Sequence, residues 1–311
     1  MAFHRSSVGA GRSLWRSLKK DYILYLLLLI PVIHTFIFKY VPMAGIIIAF
    51  KDFNPMEGIF ASPWAGVKWF EKFLTEPKFW QVFRNTILLS LYNLIWSTPM
   101  PILFALLLNE MNGRRVKKAI QTVSYLPYFV STVVMVGILT QLLSPTSGIV
   151  NHVLGLFGID PIMFMGESSW FRTIYIGSGI WQGTRYSAIL YFAALTNIDQ
   201  ELYEAAYIDG AGRAARMRYI SIPGILPTIM VMLLLNIGNI MQVSFEKVIL
   251  LQKPITVDVS EVINSYVYKR GLLNMDYSYG TAMGLLQSLI GFILVTSANA
   301  VSKRLTETAL W

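Results

Sequence analysis

The chain has 311 residues, a formal net charge of +9 and no cysteine; 55% of its residues are hydrophobic and only 14% are charged. An ordinary soluble domain carries about a quarter charged residues, so this composition excludes that class and indicates a membrane protein. The lack of cysteine excludes disulfide bonds and thiolate metal sites, and the three scattered histidines (His4, His34 and His152) form no pair with metal-ligand spacing.

Six apolar runs are long enough to cross a bilayer as helices, which takes about 20 residues each. They cover residues 22–42, 82–108, 119–143, 170–195, 223–250 and 279–302. The sequence therefore predicts an all-α polytopic membrane protein with one domain over residues 1–311. Its parts are an N-terminal segment (1–21), a six-helix membrane domain (22–302) and a tail (303–311). No A-x-A-like cleavage site follows the first run, so we expect an uncleaved anchor rather than a signal peptide.

Positive charge is concentrated on one side of the predicted membrane domain. Fourteen lysines and arginines lie in short segments: before span 1, in the 109–118 loop, in the loop after span 4 and at the end of the chain. Eleven others belong to the opposite side, where they are spread over its longer loops and the adjoining ends of the spans. Because short cytoplasmic loops carry an excess of Lys and Arg, we expect both termini to be cytoplasmic. Nucleic-acid binding is not needed to explain the basic charge.

Two features of the first half of the chain suggest local structure. The long loop at residues 43–81 predicts a short surface helix and an aromatic belt at the membrane interface. The aromatic residues of this loop are Trp64, Trp69, Phe70, Phe73, Phe79 and Trp80.

Span 2 contains Pro99 and Pro101, and because proline removes a backbone donor we expect a kink there, either beside a cavity or purely structural.

A polar, basic segment, EAAYIDGAGRAARMRYISIPGILP (204–227), separates spans 4 and 5. Its Asp209-Gly210 pair is a turn signal, which predicts one short helix before the turn and a second from Arg213 to Ile220. Pro223 is expected to begin the next apolar helix, because proline is tolerated in a first helical turn. On the residues alone, a solvated linker explains the segment as well as a functional element does.

The segment resembles the EAA loop of the permease subunits of ABC importers. That pattern has an E-A-A triplet, then a glycine and later I-x-L-P. Residues 40–53, 79–90, 125–134 and 279–294 also resemble the sugar-uptake branch of that family, so the resemblance covers nearly the whole chain. Ile222 stands where the family usually has leucine. The residues in register are Glu204, Ala205, Ala206, Gly210, Ile220 and Pro223.

The resemblance implies a maltose-permease-like subunit of an importer for oligo- or polysaccharides, in a bacterial cytoplasmic membrane. The implied partners are a second, homologous permease subunit, two ATPase subunits that bind ATP and Mg, and an extracytoplasmic solute-binding protein. The dipeptide Gly-Lys does not occur, so the chain has no P-loop, and we expect neither enzymatic activity nor a cofactor in it. The implied ATPase-coupling residues are Glu204, Ala205, Ala206, Asp209, Gly210, Ala211, Ile220 and Pro223.

Polar residues within span 5 are candidates for a substrate path. Asn236, Asn239, Gln242 and Glu246 would occupy roughly a third of the circumference of a continuous helix. A polar stripe in lipid should face the bundle interior or a watery cavity. Amides bind sugar hydroxyls well, but hydrogen bonds between helices explain the stripe equally well.

Arg185 lies within span 4, where an arginine is costly and by default functional. It departs from the permeases that the chain resembles, in which glycine is usual at this position. One hypothesis is that Arg185 attracts the carboxylates of an acidic saccharide. The alternatives are an ion pair with Glu246 or another intramembrane acid, and snorkelling to the interface.

Other classes of function stay open at this point. A permease of the same superfamily for an amino acid or a peptide would share the EAA pattern. A secondary transporter or channel would place an ion- or proton-relay carboxylate deep in a span. A membrane enzyme has the least support, because no paired catalytic carboxylates lie at an interface.

Overall fold

The computed structural model describes residues 20–111 and 113–306, and within these ranges the chain is helical. The only β-type pairing in the described ranges is an isolated antiparallel bridge between Lys51 and Trp64. The all-α prediction is confirmed. Most of the predicted N-terminal segment 1–21, and the end of the predicted tail 303–311, lie outside the described residues.

Thirteen helices of the described ranges are numbered in chain order, and short helical segments connect several of them. These segments are Gly58–Ala61, Leu126–Phe129, Pro254–Thr256, Val257–Ser260 and Tyr268–Leu273. The helices are α1 (Tyr22–Phe50), α2 (Lys68–Thr75), α3 (Pro77–Ser97), α4 (Pro99–Asn109), α5 (Arg114–Tyr125), α6 (Thr132–Leu142), α7 (Ile149–Leu156), α8 (Ser168–Thr196), α9 (Gln200–Ile208), α10 (Arg213–Gly238), α11 (Phe245–Leu251), α12 (Ile263–Val267) and α13 (Tyr277–Thr306).

Fewer helices meet the requirements of a membrane span than the six predicted. Four are long and apolar enough among the described residues: α1, α3 with α4, α10, and α13. A fifth exists if α5 and α6, bent by 100°, count as one span. The multi-pass architecture is confirmed, whereas the number six is not.

Helix α8 explains part of this difference. It is 29 residues long and packs against α3, α4 and α10. Toward its C-terminal end, Ala188, Tyr191 and Leu195 are buried in one core cluster with residues of α4 and α10. Because protein rather than lipid surrounds much of α8, it tolerates polar residues that a lipid-facing helix would not.

The predicted span 3 is broken. α5 runs into the turn Leu126–Phe129, and α6 starts after Ser131, whose hydroxyl accepts a hydrogen bond from the Val134 N–H (3.4 Å). Pro127 lacks a backbone donor and Ser131 is a good N-cap, so the sequence itself encodes the break. Treating 119–143 as one apolar run overlooked these two signals.

The predicted spans 2 and 5 also differ from continuous helices. The span 2 helix begins at Pro77 and is divided at Thr98, next to the prolines that predicted a kink. Span 5 ends at Gly238 and the chain becomes helical again at Phe245, so the prediction of one helix over 223–250 is wrong. The Ser244 side chain caps the new helix.

The predicted aromatic belt is wrong for two of its members. α2 folds back against α1 and α13. Phe73 and Phe79 are fully buried there, in a core cluster with Ala49 and Tyr279. Trp64 and Trp80 are exposed, as a belt requires.

An ion pair stabilises the packing of α3 against α13. The Glu76 carboxylate, just before α3, accepts hydrogen bonds from Arg270 (2.7 Å) and from the Tyr279 hydroxyl (2.7 Å). Burial by itself would raise the pKa of Glu76, but these hydrogen bonds and the arginine charge hold it below its usual value. The contact joins the start of α3 to the start of α13.

A close contact between two glycines gives a test of the packing of α13. A Cβ atom on Gly280 would lie 2.9 Å from the Gly271 Cα. We predict that Gly280→Ala destabilises the purified protein by about 1–3 kcal/mol, because the helix must shift to avoid the clash. Denaturant unfolding in detergent measures this change.

The matched control is Gly284→Ala, one turn further along the same helix, where nothing lies within 4 Å of an added Cβ. Equal stability of the two variants would contradict the predicted packing.

Candidate functional site

Helix α9 carries the E-A-A triplet and has a defined start. The Asp199 carboxylate accepts a hydrogen bond from the Glu201 N–H (3.0 Å), which caps the helix. Glu204 and Ala205 are exposed, and Ala206 is half-buried. The triplet therefore presents one carboxylate and small side chains at the molecular surface.

The turn after α9 is a Schellman motif. The Ala211 N–H bonds to the Ala206 carbonyl (2.8 Å) and the Gly210 N–H to the Tyr207 carbonyl (3.1 Å). Gly210 has φ +75°, a left-handed conformation that glycine adopts without steric cost. Asp209 is the C-cap residue. The predicted Asp-Gly turn is present, and its geometry requires the glycine.

Beyond the turn, the structure corrects the prediction of a separate second helix. α10 runs without a break from Arg213 to Gly238. Pro223 therefore starts no new helix, although its missing donor is accommodated by a π-helical turn just before it, Met217–Ser221. Ile220 is half-buried within that turn.

Side-chain contacts hold α9 against the membrane helices. The Tyr203 hydroxyl and the Ser221 hydroxyl of α10 are 2.9 Å apart. An added Cβ at Gly224 of α10 would be 2.5 Å from the Ile198 side chain, so the chain before α9 packs directly on α10. Arg216 of α10 pairs with Glu110 at the end of α4 (2.9 Å). α9, α10 and α4 thus form one connected unit.

Three large apolar side chains of α9 are exposed beside its carboxylates. Leu202 is 54% exposed, Tyr207 73% and Ile208 84%. Exposed large apolar side chains of this kind suit a protein contact or a membrane contact.

A cavity of about 360 Å³ opens between α3, α8 and α10. Each helix contributes one face to its wall. α8 places Tyr175, Gly179, Gly183 and Ser187 there, which are spaced four residues apart along one side of the helix. The other polar residues of the wall are Ser90, Asn93, Ser97, Thr98, Thr184, Asn236, Asn239 and Gln242.

Hydroxyls in this cavity lack hydrogen-bond partners. The side-chain oxygens of Ser90 and Thr184 are buried and have no partner. Buried polar groups are normally paired, so unpaired ones in a cavity indicate that water or a ligand completes them. Hydroxyls and amides of this kind suit a ligand rich in hydroxyl groups.

The structure separates the polar residues predicted for span 5. Asn236, Asn239 and Gln242 line the cavity. Glu246 does not; it is exposed in the first turn of α11. The expectation that all four share one helical face fails because α10 ends at Gly238.

Arg185 lies on a different side of α8 from the cavity. It is buried, and its guanidinium lies over the rings of Tyr125 (4.3 Å) and Phe104 (5.3 Å). No carboxylate in the described part of the chain pairs with it, so the ion pair with Glu246 is absent. Its Nε and one terminal nitrogen have no hydrogen-bond partner.

Sequence reasoning missed most of the wall. The polar residues of α3 and the small residues of α8 were not singled out. Their four-residue spacing, as in Tyr175, Gly179, Gly183 and Ser187, was a readable signal. It was overlooked because single glycines and serines are common in membrane helices.

Comparison with known families adds to this geometry. The family described as "Binding-protein-dependent transport system inner membrane component" matches residues 97–307. The chain belongs to this family. As a permease of this kind it is a transport subunit and not itself an enzyme.

Relatives and solved structures resemble the permease along nearly its whole length. Protein LplB of Bacillus subtilis (strain 168) is 39% identical over 305 residues, which is 98% of this chain and 96% of the relative. The polygalacturonan/rhamnogalacturonan transport system permease protein YteP of the same strain is 42% identical over 288 residues, 93% and 90% of the two chains. A chain of a bacterial ABC transporter involved in the import of the acidic polysaccharide alginate matches with a TM-score of 0.86 and 39% identity, over 94% of this permease and 99% of that chain.

The left-handed turn after α9 makes a direct prediction. Gly210→Ala forces an L-residue into φ +75°, at a cost of about 1–2 kcal/mol, without any steric contact from a neighbour. We expect faster amide hydrogen exchange at residues 209–211 than in the unmodified chain, measured by mass spectrometry.

Gly212→Ala is the matched control. Gly212 has φ −69°, which alanine adopts freely, and open space for a Cβ. Faster exchange in both variants, or in neither, would contradict the role of the positive φ.

Proposed function

We propose that this chain is the membrane-spanning subunit of an ATP-driven importer for an oligo- or polysaccharide. The substrate passes through the cavity between α3, α8 and α10 by alternating access, while α9 contacts a separate ATPase. The observation that carries the proposal is a hydroxyl- and amide-lined cavity joined to an exposed helix by the continuous helix α10. The names of the relatives, which include transporters of polygalacturonan and alginate, support a saccharide substrate.

The proposed partners follow from the same arrangement. The exposed surface of α9, with Glu204, Leu202 and Ile208, contacts an ATPase subunit, and the basic residues around it support a cytoplasmic position for this end. A second, homologous permease subunit completes the pore, so that two ATPase subunits serve the pair. A solute-binding protein delivers the saccharide from outside. In support, an alginate transporter has been solved in complex with its periplasmic protein.

The proposed location is the cytoplasmic membrane of a bacterium, with both termini inside. ATP and Mg bind to the ATPase subunits, and this chain holds no cofactor of its own. The proposed coupling residues are those of the E-A-A triplet, Asp209 to Ala211, Ile220 and Pro223. The proposed substrate contacts are Asn236, Asn239 and Gln242, with the polar residues of α3 and α8 added by the structure.

The coupling role of α9 can be tested by changing its charge and its turn. We predict that Glu204→Lys and Gly210→Asp abolish saccharide uptake in proteoliposomes while the assembled complex still hydrolyses ATP. In Glu204→Lys, a positive charge replaces the negative charge that contacts the ATPase in this proposal. In Gly210→Asp, a residue with a side chain must adopt the left-handed conformation, which strains the turn.

The control is Glu57→Lys, an equal charge change in an exposed residue outside α9. It should leave uptake unchanged. Coupled transport in both α9 variants would refute this assignment.

The cavity can be tested by filling it. An added Cβ at Gly183 meets no atom within 4 Å, because the position faces the open cavity. We predict that Gly183→Leu lowers saccharide uptake by about tenfold or more, since a leucine side chain intrudes into the path; transport assays with radiolabelled oligosaccharide measure this.

Gly177→Leu is the matched control on the same helix. Gly177 is exposed, does not line the cavity and also has open space for a Cβ. If both leucines reduce uptake equally, the cavity is not the path.

A further inference from the structure

A buried lysine next to the cavity has no counter-charge. Lys247, in α11, is 7% exposed. Its ammonium donates a hydrogen bond to the Tyr175 carbonyl (2.6 Å) and lies 4.4 Å from the centre of the Tyr175 ring. Among the described residues, no carboxylate lies within 4 Å of it. An ammonium has three donors, so the carbonyl accounts for only one of them.

The position of this ammonium relative to the cavity is set by α8. Tyr175 and Gly179 both line the cavity, and the Lys247 Nζ would be 3.2 Å from a Cβ built on Gly179. Lys247 itself is not among the residues of the cavity wall, so its ammonium lies behind Tyr175 and Gly179, with no side chain at Gly179 to cover it. Any larger residue at that position would cover it.

The electrostatics of the cavity follow from this placement. No aspartate or glutamate is among the residues of its wall, which is uncharged and contains both polar and apolar residues. An isolated buried cation is costly in a low-dielectric surrounding unless an anion compensates it. Lys247 thus makes the α8 side of the cavity attractive to a negative group and repellent to a positive one.

We propose that Lys247 is the specificity-determining residue through which the permease prefers saccharides that carry carboxylates, and that its charge attracts a uronate group in the cavity beside Gly179. This inference rests on the proposed function. It gives to Lys247 the role that the sequence suggested for Arg185, whose guanidinium faces Tyr125 and Phe104 instead.

The experiment compares one saccharide in two charge states. The importer, assembled with its own ATPase and binding protein in proteoliposomes, is given an oligogalacturonate and its methyl ester, which has the same backbone without the charge. For Lys247→Met we expect uptake of the acid to fall by about tenfold or more, because the attractive charge beside the cavity is lost, and uptake of the ester to stay within about twofold. Lys247→Arg keeps the charge and should keep the preference.

The binding protein has its own preference for the acid or the ester, but this preference is the same in every assay. It therefore cancels when the uptake of each variant is divided by that of the unmodified importer. Arg185→Gln is the matched control, a second buried cation removed from α8, and should change both uptakes by the same factor. Equal losses of acid and ester in Lys247→Met would show a structural role and overturn the proposal, as would no loss of either.

If Lys247→Met does not assemble, Gly179→Ala provides the test. Its methyl group stands between the ammonium and the cavity, so the acid-to-ester ratio must fall, and an unchanged ratio overturns the proposal. If the unmodified importer takes up acid and ester equally well, the inference fails and the proposed function stands. If it takes up neither, while amino acids or peptides are transported, the proposed function fails and the inference falls with it.

Discussion

The structure depends on one constraint: hydrocarbon cannot hydrogen-bond the polar groups of a helix, so polar faces must turn toward each other or toward water. α3, α8 and α10 each carry such a face. Where the three meet, the small residues Gly179 and Gly183 of α8 leave space that no side chain fills. The cavity is therefore a consequence of the same rule that orders the bundle. The apolar helix α1, whose residues are almost all exposed, obeys the other half of that rule.

The second consequence is mechanical. α10 is a single helix of 26 residues, or about 39 Å. It begins three residues after the Gly210 turn and carries the cavity residue Asn236 near its other end. Tyr203 and Arg216 tie its first turns to α9 and α4. α9 is therefore connected to the cavity wall through one continuous helix, which is the connection that the proposed coupling requires.

Much of this was readable from the sequence, and the failures have physical causes. Apolar runs predict where helices cross a membrane because the pattern depends only on composition. Breaks depend on single residues, so Pro127 with Ser131, and Gly238, divided spans that looked continuous. Facing directions depend on tertiary packing, which explains why Arg185 lies away from the cavity and why Phe73 is buried instead of forming part of a belt. The Asp209-Gly210 turn was predictable because its geometry is local.

The charges of the cavity bear on the source of energy. A transporter driven by an ion or proton gradient needs a titratable or cation-binding carboxylate in its path. The wall formed by α3, α8 and α10 has hydroxyls and amides but no acid, and the nearest buried charge, Lys247, repels cations. Glu246, the acid that the sequence placed in span 5, is exposed beyond the end of α10. The residues of this wall therefore disfavour a transport mechanism driven by a cation that binds in the cavity, which supports the proposal that a separate ATPase supplies the energy.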